Sequence, residues 1–214
     1  MKRSLLFVAL VSIAPIASGE APPTQPFRSI DWPATMSKEP TKGITLGTFR
    51  VQFETTTLSD VQRAIAAGQV AENSPNNVAA HILWLCYTLP HPGAIARIWI
   101  LSDPEMGGET HLVTGITVAH VAKGSAPSDC PSLPSTMQPA SFDIPVWVGS
   151  SDAAVTAALG PSSHRHGAWS WFNFQTKTTA DGKCERGYDL GNWLLTKSVR
   201  GHVALLFAGQ VTSC

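Results

Sequence analysis

The chain has 214 residues, with 15 Lys+Arg against 15 Asp+Glu, 43% hydrophobic residues and 14% charged ones, against roughly 25% charged in an average globular chain. This is the composition of a folded protein rather than a disordered tail. A formal charge of zero leaves no basic footprint for a phosphate backbone, so no nucleic-acid partner is expected.

Residues 1–19 read as a secretory signal. Lys2 and Arg3 form a charged start, Leu5 to Ile13 an apolar core of nine residues, and Ala17-Ser18-Gly19 a small-residue exit. Spanning a bilayer takes about 20 apolar residues, and Pro15, Ser18 and Glu20 interrupt this run, so cleavage rather than a stable membrane span is expected. The mature chain would start near Glu20, and losing Lys2 and Arg3 leaves 13 basic against 15 acidic residues, a net charge near −2. The expected location is periplasmic or secreted. In that oxidising compartment Cys86, Cys130, Cys184 and Cys214 are expected to form two disulfides, with three connectivities open. Their gaps of 44, 54 and 30 residues do not resemble a zinc knuckle.

Residues 20–43 form an extended Pro-rich leader, with Pro22, Pro23, Pro26, Pro33 and Pro40 and no helical or strand period. A second such stretch, residues 124–140, divides the rest into halves at 44–123 and 141–214. The halves look related. Thr57-x-x-x-Val61-x-x-Ala64-Ile65 matches Ser151-x-x-x-Val155-x-x-Ala158-Leu159-Gly160 at an offset of 94. Each segment opens with a capping hydroxyl, carries an apolar stripe and meets a glycine soon after, at Gly68 and Gly160, which predicts a short helix in both places. Trp99-Ile100-Leu101 matches Trp193-Leu194-Leu195 at the same offset, and Thr110-His111-Leu112-Val113 resembles Gly201-His202-Val203-Ala204 at 91.

Strand-like runs cover His81–Tyr87, Ala96–Leu101 and Leu112–His120 in the first half, then Trp169–Gln175, Asn192–Lys197 and His202–Ala208 in the second. A short strand is expected before each helix, ending in Leu46-Gly47 and in Val148-Gly149. The fold class is therefore α+β, with two tandem repeats, each a short helix packed on an antiparallel sheet of three to four strands. The repeat pairs Cys86 with Cys130 and Cys184 with Cys214, one staple in each half.

This organisation over residues 44–214, with the two helix signatures above, resembles the beta-lactamase inhibitory protein and the small-protein-A type outer-membrane assembly lipoproteins. The chain is also similar to uncharacterised exported proteins of Gram-negative bacteria that end in Val-Thr-Ser-Cys, like Val211 to Cys214. Members of the named families act by binding other proteins, so the resemblance implies a binding role. The chain lacks the lipidated Cys of the assembly lipoproteins, and no inhibitor contact residue has a counterpart in it.

No catalytic, metal or cofactor residue stands out. His164-Arg165-His166 could offer two imidazoles but has no third ligand nearby, and a polar loop is expected there. Asp103 to Glu109 reads as an acidic hairpin tip without the spacing of a calcium loop. Ser151 precedes a helix outside any nucleophile motif and is occupied as a cap. The aromatic residues carry more. Trp169 and Trp171 share one face of a strand that Asn173 and Gln175 continue, while Phe172 and Phe174 point to the other, a pattern that predicts a wet aromatic face beside a Phe core. Trp84 and Trp99 have a competing place between helix and sheet. The expected binding residues are Trp169, Trp171 and Asn173, with Trp193 and Trp99 behind them, for an envelope or extracellular protein. The alternatives are a binder of a small molecule or envelope polymer, or a hydrolytic enzyme without a recognisable motif.

Overall fold

The computed structural model describes residues 20–25, 34–73, 81–91, 94–121, 129–177, 187 and 189–213. The expected signal at 1–19, together with Cys184 and Cys214, lies outside the described residues. In chain order the elements are β1 (Gly43–Leu46), β2 (Phe49–Gln52), α1 (Leu58–Ile65), β3 (Ala71–Glu72), β4 (Leu83–His91), β5 (Ala94–Ser102), α2 (Pro104–Gly107) and β6 (Gly115–Val121). They continue with β7 (Ala140–Phe142), α3 (Asp152–Leu159), β8 (His164–His166), β9 (Trp169–Lys177), β10 (Asp189–Val199) and β11 (His202–Ser213).

Both longer helices form where their caps predict them. The Thr57 hydroxyl accepts from the Asp60 N–H, and the Asp60 carboxylate accepts from the Thr57 N–H at 3.1 Å, a reciprocal box that satisfies two orphan donors of α1. Ser151 caps α3 by accepting from the Ala154 N–H at 3.2 Å. Leu58, Val61 and Ile65 are the buried stripe of α1, whereas α3 buries only Val155. Ala66 takes the left-handed exit of α1 at φ 55°, ahead of the expected Gly68. Gly68 is left-handed as well, and a Cβ there would come within 3.2 Å of the Tyr87 ring, whose hydroxyl donates to the Ala67 carbonyl at 3.0 Å.

The fold is α+β, with one eight-stranded antiparallel sheet in the order β3-β4-β5-β6-β11-β10-β9-β8 and a three-stranded sheet in the order β2-β1-β7. Each half contributes a run of four consecutive strands to the large sheet, and the halves join through their last strands, β6 and β11. The strand expected to end in Val148-Gly149 lies earlier, as β7, and Val148-Gly149 is a turn. Pro145, which has no N–H to donate to a ladder, stands between the two.

One face of the large sheet carries the main core. Leu85, Tyr87, Ile98, Ile100, Ile116, Val118, Leu206, Leu194 and Phe172 meet α1, α3 and the small sheet through Val61, Ile65, Val155, Ile44 and Leu46. Backbone bonds tie the two helix starts to the sheet in matching fashion. The Leu58 N–H donates to His111 O and the Val113 N–H to Thr56 O, at 3.0 and 2.8 Å. In the second half the Asp152 N–H donates to Gly201 O and the Val203 N–H to Ser150 O, at 3.0 and 2.9 Å. His111 therefore stands where Gly201 stands, not opposite His202, and both residues have positive φ, 53° and 77°.

The edge strands β3 and β8 are only two and three residues long, and past their ends β4 and β9 pair with irregular segments of the chain. Cys86 and Cys130 form the first expected disulfide, with Cα atoms 5.2 Å apart. It brings the Pro-rich stretch to β4, where the Thr88 N–H donates to Pro131 O at 2.9 Å and the Leu133 N–H to Thr88 O at 2.8 Å. At the other edge the leader docks on β9, as the Thr35 and Met36 N–H groups donate to Asn173 O at 3.2 and 3.1 Å. Both Pro-rich stretches are thus hydrogen-bonded to the large sheet at these points.

Candidate binding face of the sheet

Strict alternation along paired strands sorts side chains into two faces. On the face turned away from the helices, one row of directly paired residues runs Cys86, Trp99, Thr117, Phe207, Leu195, Trp171 and His164 from β4 to β8. A neighbouring row runs Trp84, Leu101, Gly115, Gly209, Trp193 and Asn173. On the other side lies Arg97, Ala119, Leu205, Lys197, Trp169 and His166. All five expected binding residues, Trp169, Trp171, Asn173, Trp193 and Trp99, stand on this one face.

Their exposure differs from the expected wet face. Trp171 is 0% exposed, Trp99 1% and Asn173 2%, while Trp169 and Trp193 are half-buried. Trp171, Leu195 and Phe207 make a buried floor on which Trp169 and Trp193 rest. Trp84 and Trp99 are buried on this same side with Cys86, Leu101, Ala119 and Cys130, not between helix and sheet. Register decides this, since both pair directly with residues of the face opposite the helices. Phe172 belongs to the main core, as the alternation requires.

The ring geometry is specific. Trp169 stacks on Phe207 with centroids 5.9 Å apart and planes 30° apart, and it lies 6.2 Å from Trp171. The Lys197 ammonium stands 5.5 Å from the Trp169 centroid, and the Arg97 guanidinium 5.5 Å from that of Trp99, both within reach of a cation–π attraction. Trp193 lies flat because its cross-strand partner is Gly209: a Cβ there would fall 2.6 Å from the indole Cζ2. The sequence reading missed Lys197, Phe207 and Arg97. The signal for them was the two-residue alternation on β10 and β11, where Trp193, Leu195 and Lys197 share a face and so do Leu205, Phe207 and Gly209.

His164-Arg165-His166 forms β8, a short edge strand paired with β9, not the expected loop, and it sets the His164 ring 5.4 Å from Trp171. Asp103 to Glu109 contains the helical turn α2, with the Asp103 carboxylate accepting from the Glu105 N–H at 2.9 Å. Among the described residues no group of three or more His, Cys, Asp and Glu side chains could hold a metal, and no helix is long and apolar enough to cross a membrane. An open depression of about 520 Å³ beside the start of α1 is lined by Thr57, Asp60, Glu109 and His111. Its best-placed carboxylate is already committed. Hydrogen bonds from the Thr57 hydroxyl and N–H, with Arg63 beyond them, hold the Asp60 carboxyl below its ordinary range, so it is a poor general base.

What this face presents to solvent is the half-buried rings of Trp169 and Trp193 with Lys197 beside them, over a buried floor, whereas Arg97 is buried. No family model, no curated protein and no solved structure matches this chain.

Proposed function

We propose that the protein is an exported, disulfide-stabilised binding module that contacts another protein through the aromatic face of its large sheet, in the periplasm or outside the cell. The observation that carries this reading is the half-buried pair Trp169 and Trp193 resting on the buried floor of Trp171, Leu195 and Phe207, with Lys197 over the Trp169 ring. Rings held rigidly lose little entropy on contact, and Trp dominates binding hot spots. Export rests on the charged start, apolar core and small-residue exit of residues 1–19 and agrees with the Cys86–Cys130 disulfide.

The tandem reading and its likeness to beta-lactamase inhibitory protein and the small-protein-A type assembly proteins belong to the same proposal. In their support, caps Thr57 and Ser151 are 94 residues apart, and each half continues from its eight-residue helix into four antiparallel strands. The test is crosslinking in a native periplasmic extract with the wild-type protein and the Trp169→Ala/Trp193→Ala double variant, folding being checked by circular dichroism. A discrete partner captured by the wild type and lost in the folded variant is the expected result. Equal capture by both would remove this face from the contact.

A further inference from the structure

At one end of the large sheet, two imidazoles of the first half stand against the turn that leads into α3. Alternation carries the core-side face of β4 from Leu85, Tyr87 and Leu89 to His91, and that of β6 from Ile116 and Val118 to His120. Between these strands β5 offers only Ala94 opposite His91 and Ala96 opposite His120. The small side chains leave room for the rings to lean together, and they meet edge to face with centroids 4.8 Å apart. His91 also lies against Gly149 of the second half, where φ is 91° and a Cβ would stand 3.2 Å from His91 Cε1. Gly149 sits in the turn Trp147 to Ser150, closed by the Ser150 N–H donating to Trp147 O at 3.0 Å. Three backbone bonds fasten this turn and the start of α3 to the β10–β11 hairpin. Gly149 N–H donates to Val203 O at 2.7 Å, Val203 N–H to Ser150 O at 2.9 Å and Asp152 N–H to Gly201 O at 3.0 Å.

We propose that His91 and His120 form an acid-sensitive latch, which holds the Gly149 turn and the start of α3 on the sheet while both rings are neutral and releases them when the pair takes up protons. Two positive rings at this distance repel each other, and His91 Nδ1 is buried with no hydrogen-bond partner among the described residues, so a proton there gains no acceptor. Nothing facing the pair offsets that charge. Leu89, Ala94, Ala96 and Val118 are apolar, the turn residues Trp147 to Ser150 carry no charge, and Arg97 is on the opposite face of β5. His202 reaches the turn from β11, where its Nδ1 donates to Gly149 O at 3.1 Å, and the Asp152 carboxylate beyond it accepts from the Ser198 hydroxyl. Burial first, and the charge of His91 second, hold His120 below its ordinary value of 6.5. The fold therefore resists the proton. The latch is intact above that ordinary value and weakens as pH falls below it. It stands on the core side of the sheet, away from the aromatic face, and does not depend on the binding-module reading.

The experiment uses the full chain and two readouts across pH. Histidine Cε1–H resonances report each ring, and amide protection, taken relative to an unstructured chain at the same pH, reports the turn. Protection at Gly149 and Val203 is expected to fall about tenfold between about pH 8 and about pH 5, while Gly47, whose N–H donates to Pro139 O in the small sheet, keeps its own. His91 and His120 should titrate as a coupled pair, and His91→Gln should move the His120 midpoint up toward the ordinary value. His120→Gln, a change at the exposed member of the pair, should abolish the pH dependence at Gly149, whereas His202→Gln should leave it in place. If His91→Gln does not fold, His120→Gln carries the test with the His91 midpoint as its readout. Constant protection at Gly149, an equal fall at Gly47, or a pH dependence that survives His120→Gln or vanishes with His202→Gln would each overturn the latch.

Discussion

Thr117 of β6 and Phe207 of β11 face each other directly at the seam where the two halves of the large sheet meet, with Gly115 opposite Gly209 on one side and Ala119 opposite Leu205 on the other. Thr117 is fully buried and its hydroxyl has no hydrogen-bond partner among the described residues. A buried hydroxyl without a partner costs stability, and Val has nearly the same shape. Thr117→Val is therefore expected to raise stability by about 1 kcal/mol, measured by urea unfolding. A lower midpoint would mean that the hydroxyl is satisfied in solution.

The floor of the aromatic face should carry more of the fold's stability than its half-buried rim. Trp171 is completely buried, so Trp171→Ala is expected to cost about 3–5 kcal/mol through lost burial and a cavity. Trp169 and Trp193 are half-buried, and each truncation there should cost roughly half as much or less. Equal losses at all three positions in thermal melts would contradict this division.

Gly209 is an indirect test of ring placement. A methyl at this position meets Trp193 carbons at 2.6 and 2.8 Å and the Thr114 carbonyl oxygen at 3.1 Å. Gly209→Ala is expected to destabilise the protein by about 1–3 kcal/mol and to shift Trp193 emission as the ring is lifted. Unchanged emission and stability would show that the indole does not lie on the strand.

The Cys86–Cys130 bond closes a loop of 44 residues, and chain entropy assigns about 4 kcal/mol to a crosslink of that span. Replacing both cysteines with Ala should lower stability by about that amount. It should also raise amide exchange at Thr88 and Leu133, whose backbone bonds tie the Pro-rich stretch to β4. Full protection at both amides after the replacement would show that the stretch docks without its staple.

Asp143 links stability to pH. Partial burial works against its charge, but hydrogen bonds from Arg50, the Lys42 N–H and Thr41 outweigh that effect and hold its carboxyl below the ordinary value of 3.8. The folded state therefore binds the proton less readily than the unfolded state. The stabilisation is complete above the ordinary value and is lost as pH falls through the depressed one. Asp143→Asn should be less stable than wild type at neutral pH and should show a flatter loss of stability on acidification below about pH 4. Parallel acid titrations of the two proteins would disprove the link.

Local chemistry determined much of this protein in the sequence itself. The two capped helices and the six main strand runs follow from hydroxyl caps and from alternation, and Cys86 pairs with Cys130 as the repeat reading expects. The shared face of Trp169, Trp171 and Asn173 follows from the two-residue period of a strand. Tertiary structure decided what period alone leaves open, namely which strand meets which and what covers each face. Joining β6 to β11 merges the halves into one sheet, and the resulting rows put Trp99 and Trp84 on the side away from the helices. Burial of Trp171 beneath Trp169, and of Arg97 beneath a Glu20 that is 77 residues distant, depends on contacts between segments far apart in the chain. No local propensity encodes those contacts, because they exist only once the register between strands is set.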